Sequence, residues 1–171
     1  LPVAGMLLAG ILSDTLVLKM STTTPADEKA VRYLAGITGE DPVRFGTGMI
    51  QEGMDLDHTP LPEILSRDTK RYSLFGREVV ISQVMMASDE FLESHESEIK
   101  MVIERLRKED AADLYLVLFT NVIGNHSHLF AAGDHPVLSA LGYERQPVVL
   151  PGVMSRKKDF LPPFGQQLRD L

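Results

Sequence analysis

Residues 113–123 read DLYLVLFTNVI, an apolar run interrupted only near its end. A strand with this pattern carries apolar side chains on both faces, so it belongs in the middle of a sheet covered on both sides. That demand predicts a layered α/β arrangement, and the flanking sequence supplies the layers. Ser88 and Asp89 open an amphipathic helix over about residues 89–109, with Phe91, Leu92, Ile99, Val102, Ile103 and Leu106 recurring at spacings of three and four. KRYSLFGREVVISQVM, residues 70–85, reads as two strands joined at Phe75-Gly76. HSHLFAAG (126–133) is a further strand, HPVLSALG (135–142) a short helix and QPVVLPGVM (146–154) a last strand. The second half is therefore expected to be mixed α/β, a sheet of roughly five strands flanked by helices.

The first half has another character. Residues 3–13 are apolar nearly all round, which predicts a helix buried among other elements. Thr24 followed by Pro25, with Asp27 and Glu28 behind them, marks a helix start, and Gly36 or Gly39 its stop. DPVRFGTGMIQEG (41–53) reads as another short helix, and PLPEILSRD (60–68) as one or two turns. Between them EGMDLDHTPLP, residues 52–62, is rich in Gly, Pro and acidic residues and is the expected linker. Domains are thus expected at 1–54 and 55–171. The chain opens on Leu1 without an initiator Met, which gives the expectation of a piece of a longer protein.

Composition narrows the partners. With 17 basic and 24 acidic residues the net charge is −7, which argues against general attraction to nucleic acid or an anionic membrane. The opening apolar run is too short to span a bilayer and lacks the basic flank of a signal peptide. There is no cysteine, so disulfides and Cys-ligated metal sites are excluded. Any anion site in such a chain has to be local.

One local concentration of positive charge exists, Arg156-Lys157-Lys158 in GVMSRKKDFLPPFG. Arg presents a planar fork that grips phosphate oxygens in pairs, and Lys a movable point charge. Backbone N–H groups of a turning segment and the Ser155 hydroxyl would add donors, while Pro162 and Pro163 stiffen the exit. A solvated basic loop is the alternative reading. Asp14, at the end of the first apolar helix, sits where the helix dipole disfavours a carboxylate. It reads either as a helix-ending Asx turn or as a metal ligand.

Three stretches together resemble the manganese-dependent (family II) inorganic pyrophosphatases of the DHH phosphoesterase superfamily. They are AGILSDTLVLKMSTTTPAD (9–27), ILSRDTKRYSLFGREVVISQV (64–84) and LPGVMSRKKDFLPP (150–163), the last close to the family's GVVSRKKQxxPP signature. The resemblance implies an N-terminal DHH domain holding two or three Mn²⁺ or Co²⁺ ions, with Mg²⁺ as a further ion. A C-terminal DHHA2 domain closes over it. Residues 1–54 would then be the end of the DHH domain plus linker, and 55–171 the DHHA2 domain. By the same resemblance Asp14 is a metal ligand and Lys70 reaches the substrate. Ser155, Arg156 and Lys157 grip the phosphoryl groups, Lys158 completes the motif, and Arg156, Lys157 and Lys70 act in catalysis. The implied parent is a cytoplasmic, homodimeric hydrolase that splits pyrophosphate into two phosphates.

Departures from the pattern matter too. The DHH tripeptide and the Asp-x-Asp metal motif are absent, so the chain alone is expected to be inactive. Asp159 stands where the family commonly has Gln, an added negative charge expected to weaken phosphate binding slightly. His126 and His128 share one strand face at i and i+2. They could ligate a metal, but the preferred reading is two polar or half-buried side chains, since no third ligand at a telling spacing accompanies them. His58 and His95 are expected in solvent, and His135 at a helix start. Two other functions remain open: an exopolyphosphatase-like or other DHH phosphoesterase, and a non-catalytic phosphate-binding module.

Overall fold

The computed structural model describes residues 2–54 and 56–171. Asp55, the first residue of the second domain expected from sequence, lies outside them. The chain divides into two compact units, residues 1–55 and 56–171.

The first unit is three helices: α1 (Pro2–Asp14), α2 (Pro25–Thr38) and α3 (Pro42–Gly53). The start of α2 is a capping box. Asp27 N–H donates to the Thr24 hydroxyl oxygen at 3.3 Å, and Thr24 N–H to the Asp27 carboxylate at 2.8 Å. Gly39, at φ 77°, ends the helix in the left-handed conformation that glycine adopts without penalty. Helix α1 is covered on one side within this unit. Leu8 and Leu12 are buried, whereas Val3, Met6 and Leu7 are exposed. A bundle of three helices covers one stripe of each member, and α1 packs on α2 and α3 through that stripe.

The second unit is a five-stranded sheet in the order β1-β2-β3-β4-β5. Its strands are β1 (Thr69–Leu74), β2 (Arg77–Met86), β3 (Leu114–Asn121), β4 (His126–Gly133) and β5 (Val148–Pro151). Helix α4 (Leu61–Arg67) precedes them. The pair β2–β3 is parallel, with α5 (Glu90–Glu109) as its crossover, and every other pair is antiparallel. Leu74 faces Arg77 across a two-residue turn in which Phe75 (φ 51°) and Gly76 (φ 75°) both take the left-handed conformation a twisted hairpin requires. After β4 come α6 (His135–Ala140), a π-helical turn over Arg156–Phe160 and α7 (Leu161–Arg169).

All eight residues of β3 are buried, as its apolar run demands. Alternation sends Tyr115, Val117 and Phe119 to the face covered by α4 and α5, where they meet Leu65, Ile99 and Ile103. Leu114, Leu116 and Leu118 go to the opposite face, against Phe160, Phe164 and Leu168. Burial, helped by the charge of Asp110, pushes the Tyr115 hydroxyl up to about 12, and that hydroxyl donates to the Leu65 carbonyl at 3.3 Å. His95 is half-buried rather than solvated, because its ring stacks on Phe91 one helical turn earlier at 4.2 Å. Among the described residues no helix is long and apolar enough to cross a membrane.

Several carboxylates titrate below their ordinary range. The Thr24 hydrogen bonds hold Asp27 down, and the Arg107 hydrogen bond holds Glu104 down. A carboxyl whose pKa is depressed by folding stabilises the fold above its unfolded pKa and ceases to do so as pH falls through the folded value. Thermal unfolding of this chain is therefore expected to hold level from neutral pH to about 5 and to fall below about pH 4. A scan of Tm against pH checks it.

Candidate functional site

The basic triplet is positioned by a polar row in the sheet. Gln83 of β2, Thr120 of β3 and Ser127 of β4 interrupt apolar strands on the face that carries α7. Gln83 Nε2 donates to the Thr120 hydroxyl at 2.9 Å and to the Met154 carbonyl at 3.0 Å. The Thr120 and Ser127 hydroxyls are 2.9 Å apart, and Ser127 donates to the Val153 carbonyl at 2.6 Å. Buried polar groups need such partners, and these fix the backbone immediately before Ser155.

From Ser155 the chain enters a helical turn. Ser155 is its N-cap, accepting from Lys158 N–H at 3.1 Å. The Asp159 carboxylate accepts from Met154 N–H at 3.0 Å and Ser155 N–H at 2.8 Å. Asp159 thus closes the turn, a role its sequence context did not reveal. Pro162 and Pro163 lie in the first turn of α7 and have no N–H to return to the preceding carbonyls. The turn before them is accordingly wide, of π type.

Within the turn the three cations diverge. Arg156 is only 7% exposed. Its Nη1 donates to the carbonyls of Asp68 (2.7 Å) and Ile81 (3.0 Å), and its Nη2 to Asp68 Oδ1 (2.9 Å). Lys157 and Lys158 are exposed, and among the described residues neither ammonium group has a partner. Lys70 is also exposed and lies opposite Ile81 in the β1–β2 register. The Ile81 carbonyl accepts from Arg156, so β1 brings Lys70 to the edge at which the basic turn is anchored. Ser155, Arg156, Lys157 and Lys158 share one turn, and Lys70 lies beside the strand positions to which Arg156 anchors that turn. Asp68, which holds Arg156 there, was not singled out by the sequence. Its only signal was a carboxylate two residues before Lys70.

Asp14 belongs to the first unit. It is the exposed last residue of α1. Leu16, Val17 and Leu18 after it run at φ 46°, 57° and 61°. Three successive non-glycine residues at positive φ cost energy that the surroundings must offset. Thr15 braces the turn, donating to the Ile11 carbonyl at 2.6 Å and accepting from Leu18 N–H at 3.1 Å. Val17 packs on α3, where a Cβ at Gly46 would lie 2.9 Å from its Cγ2. Asp14 is absent from the one group of three metal-ligating side chains among the described residues. A single carboxylate does not make a manganese site.

Residues 47–167 match the DHHA2 domain family. The chain belongs to that family. A Thermotoga maritima protein named probable manganese-dependent inorganic pyrophosphatase is 36% identical over 171 residues, covering 98% of this DHHA2 chain and 31% of the relative. The manganese-dependent inorganic pyrophosphatase of Bacillus subtilis is 32% identical over 164 residues, covering 94% and 53% respectively. A crystal structure of a Methanococcus jannaschii protein assigned to the family II inorganic pyrophosphatases superposes with a TM-score of 0.74 at 30% identity, covering 97% of this chain and 55% of that one. The DHHA2 chain thus spans about half the length of the B. subtilis relative and about a third of the T. maritima one.

Proposed function

We propose that this chain is the C-terminal part of a metal-dependent inorganic pyrophosphatase and supplies the cations that hold pyrophosphate. The observation that carries the reading is that Lys157, Lys158 and Lys70 present unpartnered ammonium groups on and beside a turn fixed from beneath. An acidic chain keeps such a local excess of exposed positive charge for an anion. Pyrophosphate is a compact polyanion whose charge repels an attacking nucleophile. Exposed cations held in place lower that repulsion and stabilise charge on the leaving phosphate. Lys157 and Lys70 are assigned direct contacts with phosphoryl oxygens, with Ser155 and Lys158 beside them.

Arg156, which the family resemblance assigns to the phosphoryl groups, also has a structural part. Both its terminal nitrogens are committed to Asp68 and Ile81, so in this conformation it positions the turn. Three of its five N–H donors are used in this way, which leaves Nε–H and the second Nη2–H for a phosphate oxygen.

Bound Mn²⁺ or Co²⁺ would supply a hydroxide nucleophile and withdraw charge from phosphorus. Asp14 is proposed as one ligand, the others coming from the part of the relatives' length that this chain does not span. The first unit is read as the end of a DHH-type domain and the second as the DHHA2 domain. The parent is read as a cytoplasmic homodimer. A cysteine-free composition suits that compartment, and light scattering of the longer protein tests the dimer.

Phosphate release from pyrophosphate with Mn²⁺ or Co²⁺ is expected from the longer protein and not from this chain alone. Turnover by the isolated chain contradicts the division of labour. Faster hydrolysis of long-chain polyphosphate than of pyrophosphate by the longer protein favours the exopolyphosphatase-like reading instead.

A further inference from the structure

At the start of α5, on the face opposite the basic turn, the fold completes a group that sequence spacing left incomplete. His126 and His128 project from β4 on the side that also carries Phe130 and Ala132, the side covered by α5. Asp89, the residue before α5, lies directly above them. Its Oδ2 is 3.0 Å from His126 Nε2 and 3.2 Å from His128 Nε2. Asp89 joins two residues 37 and 39 positions away, which no local spacing could disclose. We propose that Asp89, His126 and His128 form a binding site for one divalent transition-metal ion of the Zn²⁺ or Co²⁺ class, separate from the manganese centre of the proposed parent.

Geometry supports an ion over a hydrogen-bonded cluster. The three ligand atoms lie within 4.8 Å of one another. A tetrahedral ion with bonds of ~2.0 Å needs donor atoms about 3.3 Å apart, close to the separations from Asp89 Oδ2. One carboxylate oxygen here faces two imidazole nitrogens. His126 makes a hydrogen bond with it, whereas both ring nitrogens of His128 are buried with no well-oriented hydrogen-bond partner. An orphaned nitrogen is costly in an apolar setting, and an ion between the three groups satisfies the Nε2 of His128.

The surrounding residues are arranged as metal ligands usually are. Asn121 Nδ2 donates to Asp89 Oδ1 at 2.9 Å, leaving Oδ2 toward the imidazoles. The Asn121 side-chain oxygen accepts from the N–H groups of Ile123 and Gly124 at 3.1 and 2.7 Å, so the orienting residue is itself held. At Gly124 a Cβ would lie 2.5 Å from His126 Cε1, and its absence makes room for the ring. The Asp89 side chain, 36% exposed, leaves a path for an ion and a water. Two imidazoles with one carboxylate suit Zn²⁺, Co²⁺ or Ni²⁺, whereas Mg²⁺ and Mn²⁺ prefer oxygen-rich sites.

The test uses this chain after treatment with a chelator. Calorimetric titration with Zn²⁺ is expected to show one saturable site. Zn²⁺ at 100-fold excess over its dissociation constant should raise Tm by about 5–10 °C. His128→Gln and Asp89→Asn should each abolish the site, and Asn121→Ala should weaken it roughly 10-fold. Asp14→Asn should leave it intact, which separates this site from the ligand proposed for the parent's manganese. A readout on the unaltered chain guards against variants that fail to fold. Co²⁺ should shift or broaden strongly the ring signals of two of the five histidines in a proton NMR spectrum. No saturable binding, binding that survives in folded His128→Gln, or binding lost in Asp14→Asn overturns the proposal.

Discussion

Arg156→Met is expected to destabilise this chain by roughly 2–4 kcal/mol, lowering Tm by about 5–15 °C. Methionine keeps most of the apolar volume but donates no hydrogen bond. The Ile81 carbonyl, in the middle of β2, and the Asp68 carbonyl, just before β1, both lose their bonds to the guanidinium. Asp68 Oδ1 loses its partner as well, at smaller cost because that side chain is 56% exposed and water replaces the contact. Arg156→Lys restores one donor without the planar fork and should recover only part of the loss. Chemical denaturation of the variants checks the order wild type, Lys, Met. An unchanged midpoint for Arg156→Met would show that the inward bonds contribute nothing to folding.

Lys157→Ala should do the reverse. Its side chain is exposed and unpartnered, so Tm is expected to stay within about a degree of wild type. In the longer protein the same change should slow pyrophosphate hydrolysis by about 100- to 1000-fold, the usual effect of removing one donor from developing charge. If Lys157 meets the phosphoryl group only as charge develops, the loss falls on kcat. If it holds the ground state equally, KM rises and kcat is spared. Steady-state rates at saturating and limiting pyrophosphate tell the two apart. The contrast between Arg156, lost mainly in stability, and Lys157, lost mainly in rate, arises from one being turned inward and the other outward within a single helical turn.

Much of the scaffold was legible because it rests on periodicity and capping, which are local. The apolar run at 113–123 could only be a covered central strand, and β3 is buried throughout. Thr24-Pro25 and Phe75-Gly76 specify a helix start and a hairpin turn through their own backbone chemistry, and both occur as read. The basic cluster was legible as charge, but its conformation was not. The backbone donors of Met154 and Ser155 are taken by the Asp159 carboxylate, five and four residues on. Whether Arg156 points outward depends on Asp68 and Ile81, 88 and 75 residues away. The same distance problem hid Asp89 from His126 and His128.

The most direct measurement is the pyrophosphate hydrolysis rate of the longer protein carrying Lys70→Gln together with Lys157→Gln, in its preferred metal and with folding verified by Tm. A loss of at least about 1000-fold at unchanged Tm is the predicted result, because two cations assigned to the same anion are removed. A folded double variant that hydrolyses pyrophosphate at the wild-type rate would show that the exposed cations on and beside the basic turn do not serve the phosphoryl groups.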